Sequence, residues 1–518
     1  MRLSADPDAN YYAYPLDIVA EMDAEMELIK VYTLPGTDTA AGASEFDRRR
    51  IHTTSEYHPN LVTDRRTTTK PYHVSQPEGP SFVMSGNKIT WEKWTMHVGF
   101  NYREGMTLHN VRYDGRSLFY RLSLAEMFVP YGDPRTPYPR KAAFDIGNDG
   151  AGVCANNLGL GCDCLGHIKY FDGWLTTQSG LPMRMPNVVC CHEIDDGILW
   201  KHTNPRTGNA VVTRSRVLVL QTIITVTNYE YIFLFHFSQD AGITYSVHAT
   251  GILSTAPTPL STSQRWGTHV APGVLAPYHQ HLFCLRIDPA LDGHANSLAV
   301  EESHPFLPPE LDSSEAAAAQ STFGGGVGYT TVTKIVEHET GLDLDHSINR
   351  TFKIVNESAV NSVTGTPVGY KLAPWYSQLL LAHPSSFHAR RAEFAAHAVW
   401  VTRYDDGEMF PAGKWTMQSL GGEGIRSWIE SRRRLSQSES KDGGGIKGEA
   451  EITGVRDTDI VVWHTFGSTH NPRIEDWPVM PVEKMVVGLR PVNFFERNPA
   501  LDVEVATQER SCSVLVVG

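Results

Sequence analysis

Short segments of alternating apolar and polar residues dominate this chain. The alternation is clearest over residues 87–105 and 216–237, and the second segment ends in the apolar run 231–235. Successive side chains of a strand point to opposite faces, so this pattern predicts strands with one face against a core. Turn residues separate the segments. The pattern as a whole predicts a mainly β protein, a large antiparallel β-sandwich with long loops and few helices.

Helical patterns are rare along the chain. We predict helices at residues 313–320, which are rich in alanine, and at residues 388–398. The stretch 432–448 is rich in serine, glycine and charged residues, and this composition predicts a disordered surface insertion.

Composition and charge argue against several classes of protein. The chain has 518 residues and a formal net charge of -13, with no basic stripe of the kind that binds nucleic acid. No run of about 18 apolar residues is present, so we expect no transmembrane helix. The first residues lack the apolar core of a signal peptide, and we expect a cytoplasmic or peroxisomal location. The spacing of the seven cysteines is not that of a structural zinc site.

The pair His279 and His281 is a candidate metal site. In a strand, side chains two residues apart share a face, so both imidazoles could bind one ion. Imidazole suits copper, zinc, iron or nickel, and an isolated H-x-H pattern does not choose among them or exclude ordinary core histidines. A third ligand could come from His470, which lies in a turn region rich in proline and tryptophan; a capped loop histidine is the alternative there.

Two further residues are ambiguous on their own. Tyr229 lies in a strand pattern, where a tyrosine usually serves packing. Asp145 lies in a glycine-rich stretch, 144–152, which is the setting either of a turn carboxylate or of a base approached closely by a ligand.

Taken together, these segments resemble the copper amine oxidase family. The family's cofactor motif T-x-x-N-Y-(D/E) is matched by residues 225–230, and its H-x-H pair by residues 279–281. The distal motif H-x-P-R-x-E-D-W-P-V-M-P is similar to residues 470–481, and the F-D-x-G stretch to residues 144–147. The segment FVPYGDP at 128–134 is similar to the one whose tyrosine hydrogen-bonds the family's cofactor.

This resemblance implies two cofactors. Copper is expected at His279, His281 and His470. Tyr229 is expected to be oxidised to topaquinone (TPQ), a quinone cofactor, in a self-processing reaction that needs only the bound metal and O2.

The activity implied by the resemblance is that of a primary-amine oxidase. The amine forms a Schiff base with the quinone derived from Tyr229, and Asp145 then removes a proton from the carbon that carries the nitrogen. Tyr131 is expected to hydrogen-bond the quinone and Asn228 to orient it. Water and O2 complete the conversion to aldehyde, ammonia and hydrogen peroxide. A carboxylate shielded from water has a raised pKa, which suits it to the role of base.

Two peripheral features are also implied by the resemblance. A second metal, usually calcium in the family, would bind Asp288, Asp459 and the backbone oxygen of Ile460; one further acidic residue of the family's site is replaced by alanine here. The family's disulfide corresponds to Cys164 and Cys190.

The resemblance also bears on domains and assembly. Family members carry two small α/β domains ahead of the sandwich, and residues 10–23 resemble the tail of the second. We therefore interpret residues 1–62 as a remnant of a small N-terminal α/β domain with a linker, and residues 63–518 as the β-sandwich catalytic domain. Thr227 stands where the family usually has glycine. A homodimer with exchanged hairpin arms is expected.

Two other classes of function remain as alternatives. One is a truncated, non-catalytic sandwich protein that binds copper or a partner, and the presence of Tyr229, Asp145 and all three histidines argues against it. The other is a zinc hydrolase with the same histidines, which leaves the Asn228-Tyr229 motif unexplained. The sequence does not identify the amine.

Overall fold

Two large antiparallel sheets, packed face to face, form most of the molecule. The computed structural model describes residues 6–16, 18–33, 55–259, 263–306, 327–415, 419–439 and 453–505, with a few isolated positions besides. The mainly β prediction and the predicted sandwich architecture are confirmed.

The strands of the described residues are numbered in chain order. Those of the first half are β1 (Ile18–Met22), β2 (Leu28–Thr33), β3 (Val83–Ser85), β4 (Lys88–Trp91), β5 (Trp94–Asn101), β6 (Gly105–Tyr113), β7 (Arg116–Pro130), β8 (Ala142–Phe144), β9 (Lys169–Thr176), β10 (Pro182–Thr203), β11 (Ala210–Val226), β12 (Tyr229–Ser238) and β13 (Ile243–Gly251). Those of the second half are β14 (Ala256–Pro257), β15 (Gly267–Ala271), β16 (Val274–Pro277), β17 (His279–Pro289), β18 (Ser297–Pro305), β19 (Tyr329–Ile335), β20 (Thr340–Leu342), β21 (Thr351–Val360), β22 (Pro367–Ala373), β23 (Val399–Arg403), β24 (Ile460–His470) and β25 (Met480–Val492).

Helical segments are short, apart from one. The α-helices described here are α1 (Phe387–Arg391) and α2 (Ile425–Glu439). Single helical turns of the 3-10 type are Tyr11–Ala13, Tyr138–Arg140, Glu393–Ala396 and Ile474–Asp476, and a π-helical turn spans Asp145–Asp149. Among the described residues, none of the helices has the length and apolar composition that crossing a bilayer requires.

The two large sheets differ in which candidate residues they carry. Sheet A has the strand order β19-β18-β21-β22-β25-β13-β12-β11-β10-β9, and β12 begins with Tyr229. Sheet B has the order β20-β23-β24-β17-β7-β6-β5-β4-β3, with β8 paired to β7, and its β17 begins with His279. Strands β1 and β2 form a separate two-stranded sheet. The expected domain boundary near residue 62 stays a prediction.

Alternation along β12 builds the interior between the sheets. Tyr229, Tyr231, Phe233, Phe235 and Phe237 all face inward and are buried, whereas most residues between them are partly exposed. Each fully buried side chain of this size contributes roughly 1.5–3 kcal/mol to folding. The same alternation fixes the register, because a slip of one residue would turn the whole aromatic row outward.

Strand β17 is buried along its whole length, on both faces. Its inner face meets the aromatic row of β12, and its outer face is covered by a second apolar cluster. That cluster includes Leu282 and Cys284 from β17, Phe394 and Trp400, and Ile425 from α2. A strand buried on both faces has little freedom to move, which makes it a rigid support for the residues at its start.

The local predictions have mixed outcomes. The strands predicted within 87–105 and 216–237 are present. The helix predicted at 388–398 is present as α1 and the helical turn that follows it. Of residues 313–320, residues 314, 315, 317 and 318 are described and are helical, and the other four lie outside the described residues.

The disorder predicted over 432–448 is wrong for residues 432–439, which continue α2, while residues 440–452 lie outside the described part. Ile425 and Ile429 bury one side of this helix, and Arg432 forms ion pairs with Glu339 and Glu408. These tertiary contacts outweigh the polar composition of the segment.

Candidate metal and cofactor site

Strand pairing brings three histidines together at one end of the sandwich. His279 and His281 share the inner face of β17, and the antiparallel register places His470, the last residue of β24, directly opposite His279. All three side chains are buried, and one ring nitrogen of each lies within 4.8 Å of those of the other two. Among the described residues, this is the one group of His, Cys, Asp or Glu side chains found close enough together to hold a metal ion.

Each imidazole is held from its far side by a hydrogen-bond acceptor. The Nδ1–H of His279 donates to the Pro277 carbonyl oxygen at 2.9 Å, and Nδ1 of His281 is hydrogen-bonded to the Tyr231 hydroxyl at 2.9 Å, with Nδ1–H donating when Nε2 is to bind a metal. On His470 the opposite nitrogen is used, since Nε2–H donates to the Asp476 carboxylate at 3.3 Å. These contacts select the tautomers and leave one lone pair on each ring facing the common centre.

Two of the nitrogens that face the centre have no partner within the chain. Nε2 of His281 and Nδ1 of His470 are fully buried without a hydrogen bond. Nearly all buried polar atoms in proteins have a partner, so two such atoms within reach of one another are suited to binding a metal ion. The residues therefore fit a metal with three imidazole ligands.

The electrostatics of the site favour neutral ligands. Burial, together with the neighbouring His470, lowers the pKa of His279 to about 3, and burial lowers the pKa of His281 well below its ordinary value. Both rings are thus neutral at physiological pH, and a neutral imidazole is the form that binds a transition metal. Neutral nitrogen ligands do not compensate the charge of a divalent ion, which favours a neighbouring oxygen atom that can become anionic.

Tyr229 supplies that oxygen. Its side chain is 3% exposed, and its hydroxyl donates to Nε2 of His279 at 2.7 Å. The edge of its ring meets His281, with the two ring centroids 4.8 Å apart. Burial raises the pKa of the Tyr229 phenol well above its ordinary value, so the phenol stays protonated until a cation arrives beside it.

A tight hairpin turn places Tyr229 at this point. Residues Thr227 and Asn228 form the two-residue connection between β11 and β12, and Thr227 adopts φ of +58°. The Nδ2 of Asn228 donates to the Ile252 carbonyl at 2.6 Å, and the Ile252 N–H donates back to the Asn228 carbonyl at 2.7 Å. A Cβ on the neighbouring Gly251 would lie 2.6 Å from the Asn228 oxygen, so only glycine fits against this turn.

Tyr131 lies on the other side of His279. The two rings are stacked with centroids 5.1 Å apart, and the backbones of the two residues form an antiparallel bridge. The Lys141 ammonium lies 4.2 Å from the centre of the Tyr131 ring. Tyr131 is thus part of the site, whereas its hydrogen bond to a quinone stays a prediction.

The backbone of Asp145 follows directly on β8. Residues of β8 pair with the end of β7, with Phe144 opposite Phe128, and β7 leads on to Tyr131. The side chain of Asp145 lies outside what the structure describes, so its role as a base stays a prediction. Its segment nevertheless belongs to the same end of sheet B as the three histidines.

The chain is similar to known proteins over most of its length. Residues 83–510 match the family model described as copper amine oxidase, enzyme domain. The chain belongs to the copper amine oxidase family. Copper and topaquinone are the cofactors of this family, and its members are oxidoreductases that act on amines.

Relatives and solved structures agree with that assignment. The chain is 46% identical over 521 residues to copper amine oxidase 1 of Aspergillus niger, covering 99% of this chain and 73% of that protein. It is 43% identical to a peroxisomal copper-containing diamine oxidase of Nicotiana tabacum, covering 85% of this chain and 53% of that protein. A crystal structure of a copper-containing benzylamine oxidase from Hansenula polymorpha superposes with a TM-score of 0.85 at 40% identity, covering 96% of this chain and 74% of that one.

Away from the copper site, the two aspartates expected at a second metal are close to one another. Asp288 is fully buried and pairs with Arg286 at 3.1 Å through one carboxylate oxygen. Its other oxygen, and one oxygen of Asp459, are buried without a hydrogen bond. Burial, with a contribution from the neighbouring Asp459, raises the pKa of Asp288 to about 6, although Arg286 opposes the shift. Ile460 is the first residue of β24.

The cysteines expected to form the family's disulfide also lie together. Cys164 and Cys190 are both buried, with their sulfur atoms 2.7 Å apart, and both are thiols in this structure. A disulfide bond is about 2.05 Å long. The pairing therefore stays a prediction, although the two residues are neighbours as it requires.

The residues that orient the three histidines were not predicted from the sequence. Tyr231 lies two residues after Tyr229, on the same face of β12, and strand periodicity alone could have pointed to it. Asp476 lies within the matched motif 470–481, six residues after His470. The acceptor at Pro277 is a backbone oxygen, for which no side-chain signal exists.

Proposed function

We propose that this chain oxidises primary amines with O2, using copper held by His279, His281 and His470 and a quinone made from Tyr229. The overall reaction converts RCH2NH2, O2 and H2O into RCHO, NH3 and H2O2. The observation that carries the proposal is the position of the Tyr229 hydroxyl, which contacts one copper-ligand nitrogen beside two buried nitrogens that have no partner in the chain.

The histidines, their hydrogen-bond acceptors and the burial of Tyr229 have separate roles in this reaction. Topaquinone, when formed, supplies a carbonyl that condenses with the amine and a ring that accepts two electrons. His279, His281 and His470 hold the metal beside Tyr229, and their acceptors keep the ring nitrogens aimed at it. Burial excludes water from the ring of Tyr229, which is needed because water would compete with the amine.

Three nearby residues are proposed to act on the cofactor and the substrate. Asp145 accepts the proton from the carbon next to the nitrogen, and the family's F-D-x-G motif supports this role. Tyr131 hydrogen-bonds the quinone, supported by its stacking on His279. Asn228 fixes the orientation of the quinone, supported by the hydrogen bonds that tie its turn to Ile252.

Reconstitution with copper tests the proposal. The protein is expressed without copper, Cu(II) is added in air, and the visible spectrum is recorded before and after phenylhydrazine. We expect a broad visible band that grows with copper, shifts with phenylhydrazine and is missing in Tyr229→Phe. Tyr245→Phe is the matched control, because Tyr245 is a buried tyrosine of the same sheet.

The opposite result would favour the alternative function. If the wild-type protein folds and binds copper but no band develops, the chain is a copper-binding sandwich protein without oxidase activity. Where the band does form, a screen of amines for H2O2 release identifies the substrate. Aromatic and aliphatic amines both belong in the screen, since the names of the relatives include benzylamine, histamine and methylamine oxidases.

We propose further that the protein is a homodimer. The resemblance supports this, as do apolar side chains exposed near the tip of the long β10–β11 hairpin, where Ile198 and Val211 are 55% and 45% exposed. Sedimentation should give twice the chain mass of 57.6 kDa. Ile198→Asp should shift the mass toward that of one chain, and a monomeric wild-type protein would contradict the proposal.

A second metal is proposed at Asp288, Asp459 and the Ile460 carbonyl, with calcium as the ion. The two buried carboxylate oxygens without partners support it. Metal analysis after dialysis against calcium should find calcium in addition to copper, and Asp459→Asn should remove the calcium alone. Calcium that is equally bound by this variant would place the ion elsewhere.

Two further proposals concern a disulfide bond and the cellular location. A disulfide between Cys164 and Cys190 would appear as a linked peptide pair in a non-reduced digest, and two free thiols there would refute it. For location, we propose the peroxisome over the cytoplasm, since three relatives carry that location in their names. Imaging of the tagged full-length protein beside a peroxisomal marker tests this, and a diffuse signal would contradict it.

A further inference from the structure

A buried ion pair lies behind the segment that begins with Asp145. Glu126 on β7 is fully buried, and the Arg103 side chain is 6% exposed. The Arg103 Nη2 lies 3.4 Å from the Glu126 carboxylate. Neither residue belongs to the copper site or to the sequence motifs of the cofactor.

Glu126 lies beside the backbone of the Asp145 segment. The N–H of Gly147, two residues after Asp145, is near enough to lower the pKa of the Glu126 carboxyl, and the carboxylate accepts the N–H of its neighbour Met127 at 3.1 Å. Gly147 lies within the π-helical turn Asp145–Asp149. π-helical turns are rare, occur mostly as single turns and are frequent at functional sites.

Arg103 fixes the far end of the same segment. Its carbonyl oxygen accepts the N–H of Ala151 at 2.8 Å. Its guanidinium donates to the carbonyl oxygens of Lys414 at 2.7 Å and Gly413 at 3.1 Å. The same group stacks on Phe410, with its central carbon 3.6 Å from the ring centre. These contacts hold Arg103 in place from three sides.

The energetics indicate that stability is not the main effect of the pair. Removing two charges from water is costly, and buried ion pairs contribute little to stability compared with apolar residues of the same size. Burial raises the pKa of Glu126 to about 7 even though Arg103 opposes the shift, which shows how large that cost is. What the pair does provide is a fixed geometry at both ends of residues 145–151.

We infer that Arg103 and Glu126 are positioning residues that hold the backbone of residues 145–151 and thereby orient the base at Asp145. The inference rests on the function proposed for Asp145. Neither Arg103 nor Glu126 forms a hydrogen bond with the three histidines or with Tyr229. We therefore expect the pair to affect proton abstraction alone, and neither copper binding nor formation of the quinone.

The test compares two replacements of Glu126 with a matched control. Glu126→Met removes the acceptor at similar volume, and Glu126→Gln keeps one acceptor oxygen. The control is Glu339→Met, because Glu339 is equally buried, pairs with Arg432 at 2.7 Å and accepts the backbone N–H of Arg403 at 2.9 Å. Like Glu126, Glu339 thus pairs with an arginine and accepts a backbone N–H, but it lies far along sheet B from the Asp145 segment.

Two measurements are made on these proteins. The first is hydrogen exchange of the copper-free protein, followed in the peptide that covers residues 145–151. We expect faster exchange there in Glu126→Met and wild-type exchange in Glu339→Met. The second is the rate of amine-dependent bleaching without O2, expressed per quinone titrated with phenylhydrazine. A displacement of about 1 Å can lower such a rate by about 100-fold, so we expect a 10- to 100-fold loss in Glu126→Met and a smaller one in Glu126→Gln.

A deuterated amine separates positioning from general damage. In Glu126→Met the isotope effect on kcat/KM should rise toward its intrinsic limit, because the proton transfer has become slower than the other steps. A purely structural role would instead lower copper content and quinone yield together and leave the rate per quinone unchanged, which would overturn the inference. If Glu126→Met does not fold, the same comparison is decided by Glu126→Gln.

One more variant distinguishes failure of the inference from failure of the proposed function. Asp145→Asn should bleach far more slowly than any Glu126 variant. If Asp145→Asn bleaches at the wild-type rate, Asp145 is not the base and both ideas fail. If Asp145→Asn is inactive while Glu126→Met keeps the wild-type rate per quinone, Asp145 remains the base and only the positioning inference is overturned.

Discussion

Replacing Asp476 with asparagine should weaken copper binding without removing a ligand. Asp476 is 2% exposed and accepts the Nε2–H of His470, so that Nδ1 faces the metal. Burial by itself would raise the pKa of Asp476, but the hydrogen bonds from Arg473 and His470 outweigh it and lower the pKa below its ordinary value. The carboxylate is therefore ionised and holds the imidazole in one tautomer and one orientation.

The size of the effect follows from this arrangement. Loss of a group that orients a metal ligand lowers metal affinity by about 10- to 100-fold, which corresponds to about 1.4–2.7 kcal/mol. In the wild-type protein the His470 Nε2–H and the Arg473 backbone N–H, the latter at 2.8 Å, are donated to the same carboxylate oxygen, and asparagine loses the charge but keeps one acceptor oxygen that can serve both. We therefore expect the lower half of this range.

Competition with a chromophoric chelator measures the affinity of the copper-free protein for Cu(II). Glu475→Gln is the control, since it removes the same charge from the adjacent, exposed position. We expect weaker binding in Asp476→Asn and wild-type binding in Glu475→Gln. Equal affinity in all three proteins would refute the reasoning, and an equal loss in both variants would indicate a general charge effect instead of an oriented imidazole.

Three other changes test the surroundings of the site. Gly251→Ala should abolish the visible quinone band while copper is retained, because the new Cβ would lie 2.6 Å from the Asn228 oxygen; a normal band would contradict the fit. Thr227→Gly should raise the denaturation midpoint slightly. A φ of +58° costs a residue with a side chain about 1–2 kcal/mol, and the greater entropy of glycine in the unfolded chain offsets about 0.5–1 kcal/mol of the gain. A lower midpoint would refute this. Tyr231→Phe should lower copper affinity about tenfold in the chelator assay, because it removes the acceptor for His281; unchanged affinity would show that this contact does not matter.

The parts of the site that lie on strands were the most predictable from sequence. The i, i+2 spacing of His279 and His281 places both on one face, and the motif around Tyr229 specifies its chemistry. The pairing that brings His470 opposite His279 was not readable, because it depends on register between strands far apart in the chain. The acceptors behind the imidazoles were missed for the same reason.

Helix α2 shows how tertiary contacts override composition. A stretch rich in serine and arginine predicts disorder when each residue is considered alone. In the folded protein, Arg432 reaches two buried or half-buried carboxylates, at Glu339 and Glu408. Those carboxylates belong to distant parts of the chain, so no local window of sequence could have revealed the partners that stabilise the helix.

The register between β17 and β24 also sets an order of events during biosynthesis. Gln280 and Thr469, neighbours across this pairing, are separated by 189 residues in the sequence. A ribosome must therefore finish β24 before the third imidazole can join the first two, and the newly made chain cannot capture copper with its full affinity earlier than that. In the proposed function, oxidation at Tyr229 therefore begins only after the chain has been synthesised at least as far as His470.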